Sequence, residues 1–355
     1  MRSRGGRGLG MLLLAGSLTL GPLSAPAAPE AVRPRKIKVS QANESMLFLP
    51  AYVAAVHGYF QEEGLEVTQV SKGGGRSEIQ ALIAREVHFA MADSITQLSA
   101  MQEGAKVLAV ANLGDKLAVN LAIHLAAVEA AGITEKTPFA ERLKAIKGLT
   151  FGAAGPGALP WQVGQHIIRR ASYTPQKEVQ LIAAGAGPVL LAALEQRKID
   201  VLIETVPVPE TAVERGHAIM LFDLARGEDP EIGEFLLESL LVRPEYAKQE
   251  PDTVRRMVRA LLKGSRFVAE RSPEEITAVL QRTPLAKFPR GVLLAGIASL
   301  KAAFPPHGRM SQRALDVTQR FMREAGQLKR PFTLLEIYTP AFLPQGRTPG
   351  EGEAG

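Results

Sequence analysis

Five charged side chains, Glu44, Lys72, Arg76, Asp93 and Glu204, stand in short loops otherwise built mostly from small residues. In the first half of the chain the loops read Ala42-Asn43-Glu44-Ser45, Lys72-Gly73-Gly74-Gly75-Arg76 and Ala92-Asp93-Ser94. In the second half they read Ala153-Ala154-Gly155-Pro156-Gly157-Ala158, Ala184-Gly185-Ala186-Gly187 and Glu204-Thr205-Val206-Pro207. Small residues let a backbone approach a ligand closely, and a loop that opens a helix offers N–H groups to an anion or a polar acceptor. This is binding chemistry. Each member also has a structural reading. Gly74 and Gly75 can make a tight turn, Arg76 can lie in solvent, and Asp93 and Ser94 can cap a helix while still meeting a ligand. Trp161, the only tryptophan, reads either as core or as an aromatic platform, and Glu204 either meets the ligand or holds the local structure.

Motifs for enzyme chemistry are missing from the sequence. It has no His-Glu-x-x-His, no Gly-x-Ser-x-Gly and no Gly-Lys-Ser/Thr phosphate loop. Gly152-Ala-Ala-Gly-Pro-Gly157 has the wrong glycine spacing for a dinucleotide loop. There is no cysteine, which removes a thiol nucleophile and any disulfide. The histidines, at positions 57, 88, 124, 166, 217 and 307, show no metal-ligand spacing. The expectation is a binding protein for a small molecule, with no catalytic residue, no metal and no cofactor.

The loops are positioned by alternating strands and helices. Strands are expected at Ile37–Ser40, Leu65–Val70, Val87–Ala92, Val107–Asn112 and Leu117–Leu125. They resume at Leu149–Ala153, Val179–Ala183, Ile199–Ile203, Ala218–Leu224 and Ser239–Arg243. Prolines 50, 160 and 188 suit first turns of helices. Ser77-x-x-Gln80 and Ser94-x-x-Gln97 read as capping boxes, and Gly104 as a helix stop. From Pro251 the chain reads as largely helical. Strand–helix alternation implies mostly parallel sheets with helices on both faces, and ligands of such sheets bind beyond the carboxyl ends of the strands.

The order Gly58-Tyr-Phe, then Gly64-Leu-Glu-Val67, the glycine turn, and the strand ending at Asp93 resembles the nitrate/sulfonate/taurine class of ABC-transporter substrate-binding proteins, which includes pyrimidine-precursor binders. The resemblance covers about residues 37 to 345. It implies a type II periplasmic-binding-protein clamshell: two α/β lobes, two hinge crossings, and closure around the ligand. Lobe 1 is expected over 36–121 plus 241–343 and lobe 2 over 122–240, with crossings near Leu121–Leu125 and Leu240–Arg243. It further implies that Asn43, Glu44 and Ser45 face the cleft. Gly155, Pro156, Gly157 and Ala158 match the small-residue loop opening the second-lobe ligand helix, and Glu204 with Pro207 matches an acidic-x-x-Pro position. Its partners would be an ABC permease and ATPase at the inner membrane. Acids at the cleft suit a ligand with hydrogen-bond donors or an amine, such as a zwitterionic sulfonate or a pyrimidine. An enzyme on the same fold, related to pyrimidine-precursor synthesis, and a sensor without transport remain alternatives.

The first 27 residues carry Arg2, Arg4 and Arg7, an apolar run from Leu9 to Leu20, and Ala25-Pro26-Ala27. This is the three-part pattern of a cleaved secretory leader, and without a cysteine there is no lipid attachment site. The expected location is the periplasm. Loss of the leader lowers the net charge from +6 to +3, too mild and scattered for a nucleic-acid partner. Residues 344–355 are polar and glycine-rich, and are expected to be disordered.

Overall fold

The computed structural model describes residues 34–42, 44–72, 76–156 and 158–344. The expected leader, the tail beyond Pro344, and Asn43, Gly74, Gly75 and Gly157 lie outside the described residues.

Among the described residues, ten strands form two five-stranded sheets. They are β1 (Arg35–Gln41), β2 (Leu65–Ser71), β3 (Phe89–Ala92), β4 (Leu108–Gly114) and β5 (Val119–His124), followed by β6 (Thr150–Ala153), β7 (Gln180–Ala183), β8 (Val201–Thr205), β9 (Ala218–Phe222) and β10 (Glu238–Val242). The first sheet runs β2-β1-β3-β10-β4 and the second β7-β6-β8-β5-β9. Each is parallel apart from one strand: β10 pairs antiparallel with β3 and β4, and β5 with β8 and β9. The chain changes sheets within 115–118 and returns within 223–237. The first change comes before the expected Leu121–Leu125, and β5 lies wholly in the second sheet.

The inner strands of the first sheet, β3, β4 and β10, are buried almost throughout and read as largely apolar runs, while β1 and the edge strand β2 carry exposed polar residues. Ile37, Val39, Met91 and Leu240 join one core, while Ala90, Ala92 and Leu241 join a second. Burying one large aliphatic or aromatic side chain contributes about 1.5–3 kcal/mol.

Among the described residues, fifteen α-helices connect and cover the sheets. The first are α1 (Leu49–Val56), α2 (Tyr59–Glu62), α3 (Ser77–Ile83), α4 (Ser94–Gln102), α5 (Leu125–Ala131), α6 (Phe139–Ala145), α7 (Leu159–Arg170), α8 (Pro188–Glu195) and α9 (Val208–Glu214). The late region adds α10 (Pro244–Gln249), α11 (Pro251–Glu270), α12 (Pro273–Leu280), α13 (Arg290–Leu300), α14 (Gln312–Glu324) and α15 (Leu334–Ile337). α11 spans about 30 Å of rise and packs on α1 so closely that a Cβ on Gly264 would stand 2.1 Å from the Pro50 carbonyl oxygen. α13 packs on α12 within the late helical region. It also packs on α9, beside the second sheet.

The expected capping boxes are not formed. The N-cap of α3 is Arg76, with no side-chain cap, and that of α4 is Asp93. The extended backbone of Asp93 brings its carboxylate to the Thr96 N–H at 2.8 Å and the Thr96 hydroxyl at 2.7 Å. Ser94 is already inside the helix. Full capping boxes occur instead at Ser272/Glu275 and Thr333/Glu336. Gly104 does follow α4 with φ +94°, as a helix stop requires.

Candidate ligand site at the strand carboxyl ends

The parallel direction of β1, β2 and β3 puts the predicted first-half loops on one rim of the first sheet. Antiparallel β10 starts on that same rim, at Glu238. A cavity of 500 Å³ opens beside it, lined in part by Gln41, Glu44, Tyr52, Gln69, Ser71 and Arg282. Gln41 Nε2 donates to the Tyr52 hydroxyl at 3.0 Å, which fixes one wall.

The predicted side chains are mostly engaged. Ser45 caps the turn Met46–Phe48, accepting from the Leu47 N–H at 3.3 Å. Glu44 lines the cavity but is half exposed and pairs with Lys287 at 3.0 Å. Arg76 pairs with Glu103 at the end of α4, and Lys72 with Glu86 at 2.7 Å. Three cations near this rim are therefore each paired with a carboxylate, while Arg282 in the cavity wall forms no ion pair among the described residues.

The rim is acidic in its interior. Asp93 faces two carboxyl groups that the sequence reading missed, Glu78 of α3 and Glu238 of β10. Both are 2% exposed. Burial pushes the Glu78 carboxyl up to about 7, with Asp93 adding to the rise. Burial first, then Asp93 and Glu78, holds the Glu238 carboxyl well above the ordinary carboxylate range. Asp93 itself is raised by burial against the hydrogen bonds from Thr96. Glu78 Oε2, Glu238 Oε1 and the buried Ser94 hydroxyl have no hydrogen-bond partner among the described residues. The available signals were faint: Glu78 is an acid in a helix first turn, and Glu238 an acid just ahead of an apolar strand.

On the second sheet, Gly155 takes φ +128° and Ala158 N–H closes back on its carbonyl at 3.1 Å, which opens α7. Ala158 is the N-cap and supplies no side-chain acceptor, so the first-turn N–H groups of α7 are left without a side-chain cap. Pro156 lies in this loop, and Trp161, in the first turn, is partly buried against the main core. Glu204 is 7% exposed and acts within the rim. Its Oε1 accepts from the Thr205 N–H at 2.8 Å and hydroxyl at 3.1 Å, and its Oε2 lies 3.4 Å from the Gly187 N–H at the start of α8. Pro207 is the N-cap of α9 and its carbonyl accepts from the Thr211 hydroxyl at 2.7 Å. The two rims meet at Gly296 of α13, whose Cβ position lies 2.8 Å from Met46 Sδ and 3.2 Å from Val206 Cγ1.

Among the described residues, no group of three or more His, Asp or Glu side chains is arranged to hold a metal ion. One buried histidine–carboxylate pair, His166 and Asp229 at 3.2 Å, ties α7 to the segment that returns to the first sheet.

A family model described as NMT1/THI5 like matches residues 46–276. The riboflavin-binding protein RibY of Chloroflexus aurantiacus is 24% identical over 345 residues, 92% of each chain. Two solved structures share the fold. The periplasmic aliphatic sulphonate binding protein SsuA from Escherichia coli has a TM-score of 0.64 at 14% identity, over 86% of this chain and 93% of its own. The desulfurization enzyme DSZB has a TM-score of 0.63 at 15% identity, over 87% and 97%.

Proposed function

Because the chain belongs to the NMT1/THI5-like family, we propose that it is the extracytoplasmic solute-binding component of an ABC importer. It captures a small organic molecule between the two strand rims and delivers it to a membrane permease. The two sheets act as lobes, with the connections at 115–118 and 223–237 as the hinge. The leader-like N-terminus supports a periplasmic location. The candidate contacts are the sequence-derived set, of which Glu44, Ser45, Arg76, Asp93, Ser94, Gly155, Pro156, Ala158, Trp161, Glu204 and Pro207 lie among the described residues. Glu44, Arg76 and Glu204 serve chiefly to hold the walls of the space between the rims.

The observation that carries the reading of ligand class is the acidic interior of the first rim, together with the pairing of Lys72, Arg76 and Lys287. A bare oxyanion such as nitrate would meet Glu44 in the cavity wall, with Lys72, Arg76 and Lys287 already in use and Arg282 the cavity-lining cation left to it. A ligand bearing N–H or O–H donors, such as a pyrimidine, a flavin-like heterocycle or an amine-bearing sulfonate, would find acceptors. Riboflavin binding by the relative RibY accords with this. The DSZB likeness keeps an enzyme on this fold in view, but no cysteine is available as a nucleophile.

A thermal-shift panel tests the proposal, with donor-bearing heterocycles and amines set against nitrate and alkanesulfonates. A ligand at ~100 times its Kd stabilises by about 2.7 kcal/mol. Stabilisation by nitrate or a simple alkanesulfonate, and by no donor-bearing compound, would refute the ligand class.

A further inference from the structure

The geometry points to a clasp between the two sheets, made by one face of α7 and the end of α14, that sets how far the space between the rims opens. It rests on the hinge closure proposed above. α7 belongs to the second sheet, packing on β6 and β8. α14 belongs to the first, because its Ala314, Leu315 and Met322 share a core with Ala90 and Ala92 of β3 and Leu241 of β10. Gln162, His166 and Arg169 recur at helical spacing along α7 and so share one face. All three reach α14 or the turn that follows it. Gln162 Nε2 donates to Gln327 Oε1 at 3.1 Å, Arg169 Nη2 donates to Glu324 Oε2 at 3.0 Å, and the ring centres of His166 and Phe321 lie 5.0 Å apart.

Both sides of the clasp are anchored. Gly326 turns the chain after α14 with φ +68°. The Gln327 carbonyl then accepts from Gln102 Nε2 of α4 at 3.1 Å, and Gln102 Oε1 accepts from the Lys329 N–H. Gln327 thus has its backbone on a helix of the first sheet and its side chain on a helix of the second. On the other side, His166 also meets Asp229 at 3.2 Å, in the connection at 223–237. α7 therefore serves two places at once. Trp161 stands in its first turn at the second rim, and the next residue, Gln162, is bound across to the first sheet.

The ion pair of the clasp is open to water, with side chains 42% and 37% exposed. Such a pair is screened and weak. Small, partly polar contacts within one chain leave relative motion of its parts open. The clasp is therefore a catch that closing makes and opening breaks. Gln162, Arg169 and Glu324 are positioning residues, which act on a ligand only through the separation of the rims.

The chain has no cysteine, so Lys106→Cys ahead of β4 and Lys177→Cys ahead of β7, both at exposed positions, can each take one spin label. Double electron–electron resonance on the ligand-free, full chain reads the distance between them. Arg169→Glu should raise the ratio of the longer-distance to the shorter-distance population about tenfold, by loss of the pair and by repulsion from Glu324. Gln162→Ala should act in the same direction. Adding Glu324→Arg to Arg169→Glu should reverse the change, because the pair returns with its charges exchanged. A role in stability alone would lower the melting temperature of Arg169→Glu and leave the distance where it was. A distance distribution unchanged by both Arg169→Glu and Gln162→Ala overturns the clasp, as does a longer population that Glu324→Arg fails to reverse. No ligand enters this experiment, so its failure leaves the ligand class standing, to be decided by the thermal-shift panel.

Discussion

Replacing Glu78 with glutamine should stabilise the protein in mildly alkaline solution and change little in acid. Glu78 is buried at 2% exposure and its Oε2 has no partner among the described residues. Its carboxyl is pushed from an ordinary 4.5 up to about 7, chiefly by burial. The folded state therefore holds a proton that the unfolded chain gives up. Stability from this group is fully present below about pH 4.5 and is lost as the pH rises through about 7. A gap of about two and a half pH units, at ~1.4 kcal/mol each, amounts to about 3 kcal/mol of destabilisation at pH 8. Glutamine has nearly the same shape and no charge, so it removes that loss. Urea unfolding at pH 5 and pH 8 measures it. The variant should exceed the parent by up to about 3 kcal/mol at pH 8, a midpoint shift of about 1 M, and stay within about 1 kcal/mol at pH 5. Equal stability of the two proteins at both pH values would show that Glu78 is not buried as an acid, and that the rim is less acidic than described.

Gly264→Ala should destabilise by about 1–3 kcal/mol, because the new methyl meets the Pro50 backbone and neither helix can yield cheaply; thermal unfolding against the parent measures it. Ser272→Ala should cost about 1 kcal/mol through loss of the α12 capping box, readable in the same assay. Trp161 fluorescence should change when a ligand from the thermal-shift panel saturates the protein, since Trp161 sits in the first turn of α7 at the second rim; an unchanged spectrum would assign it to the core alone. Small-angle scattering should show a smaller radius of gyration with that ligand, as hinge closure requires; an identical radius would argue against two moving lobes.

The strands were legible because each is a short apolar run bounded by glycine, proline or a small polar residue, and the alternation with helices set the fold class. β10 was found as a segment, but its place between β3 and β4 depends on pairing across more than a hundred residues, which no local pattern records. Helices α5 and α6 lie mostly between the expected strands Leu117–Leu125 and Leu149–Ala153, where the sequence reading placed no element. They are short, and α5 is set by a His124 cap and the left-handed Gly132. Among the site residues, the loops were visible and the partners were not. Glu44 pairs with Lys287, 243 positions away, and Glu204 reaches Gly187 on a neighbouring loop. The strongly perturbed acids of the first rim, Glu78 and Glu238, looked like an ordinary helix-start and strand-start residue. Their burial is a property of packed helices and sheet rim together.

The most direct test of the acidic-rim account is calorimetry of Asp93→Asn with the best ligand from the thermal-shift panel. Asparagine caps a helix about as well as aspartate, so α4 and the rim should keep their shape while one charge is removed. A donor-bearing ligand held by this rim should bind about tenfold or more weakly to the variant, since hydrogen bonds to charged groups contribute ~1.5–3 kcal/mol. Unchanged or tighter binding would contradict the account, and would place the recognition of this ligand with the α7 N-terminus and Trp161.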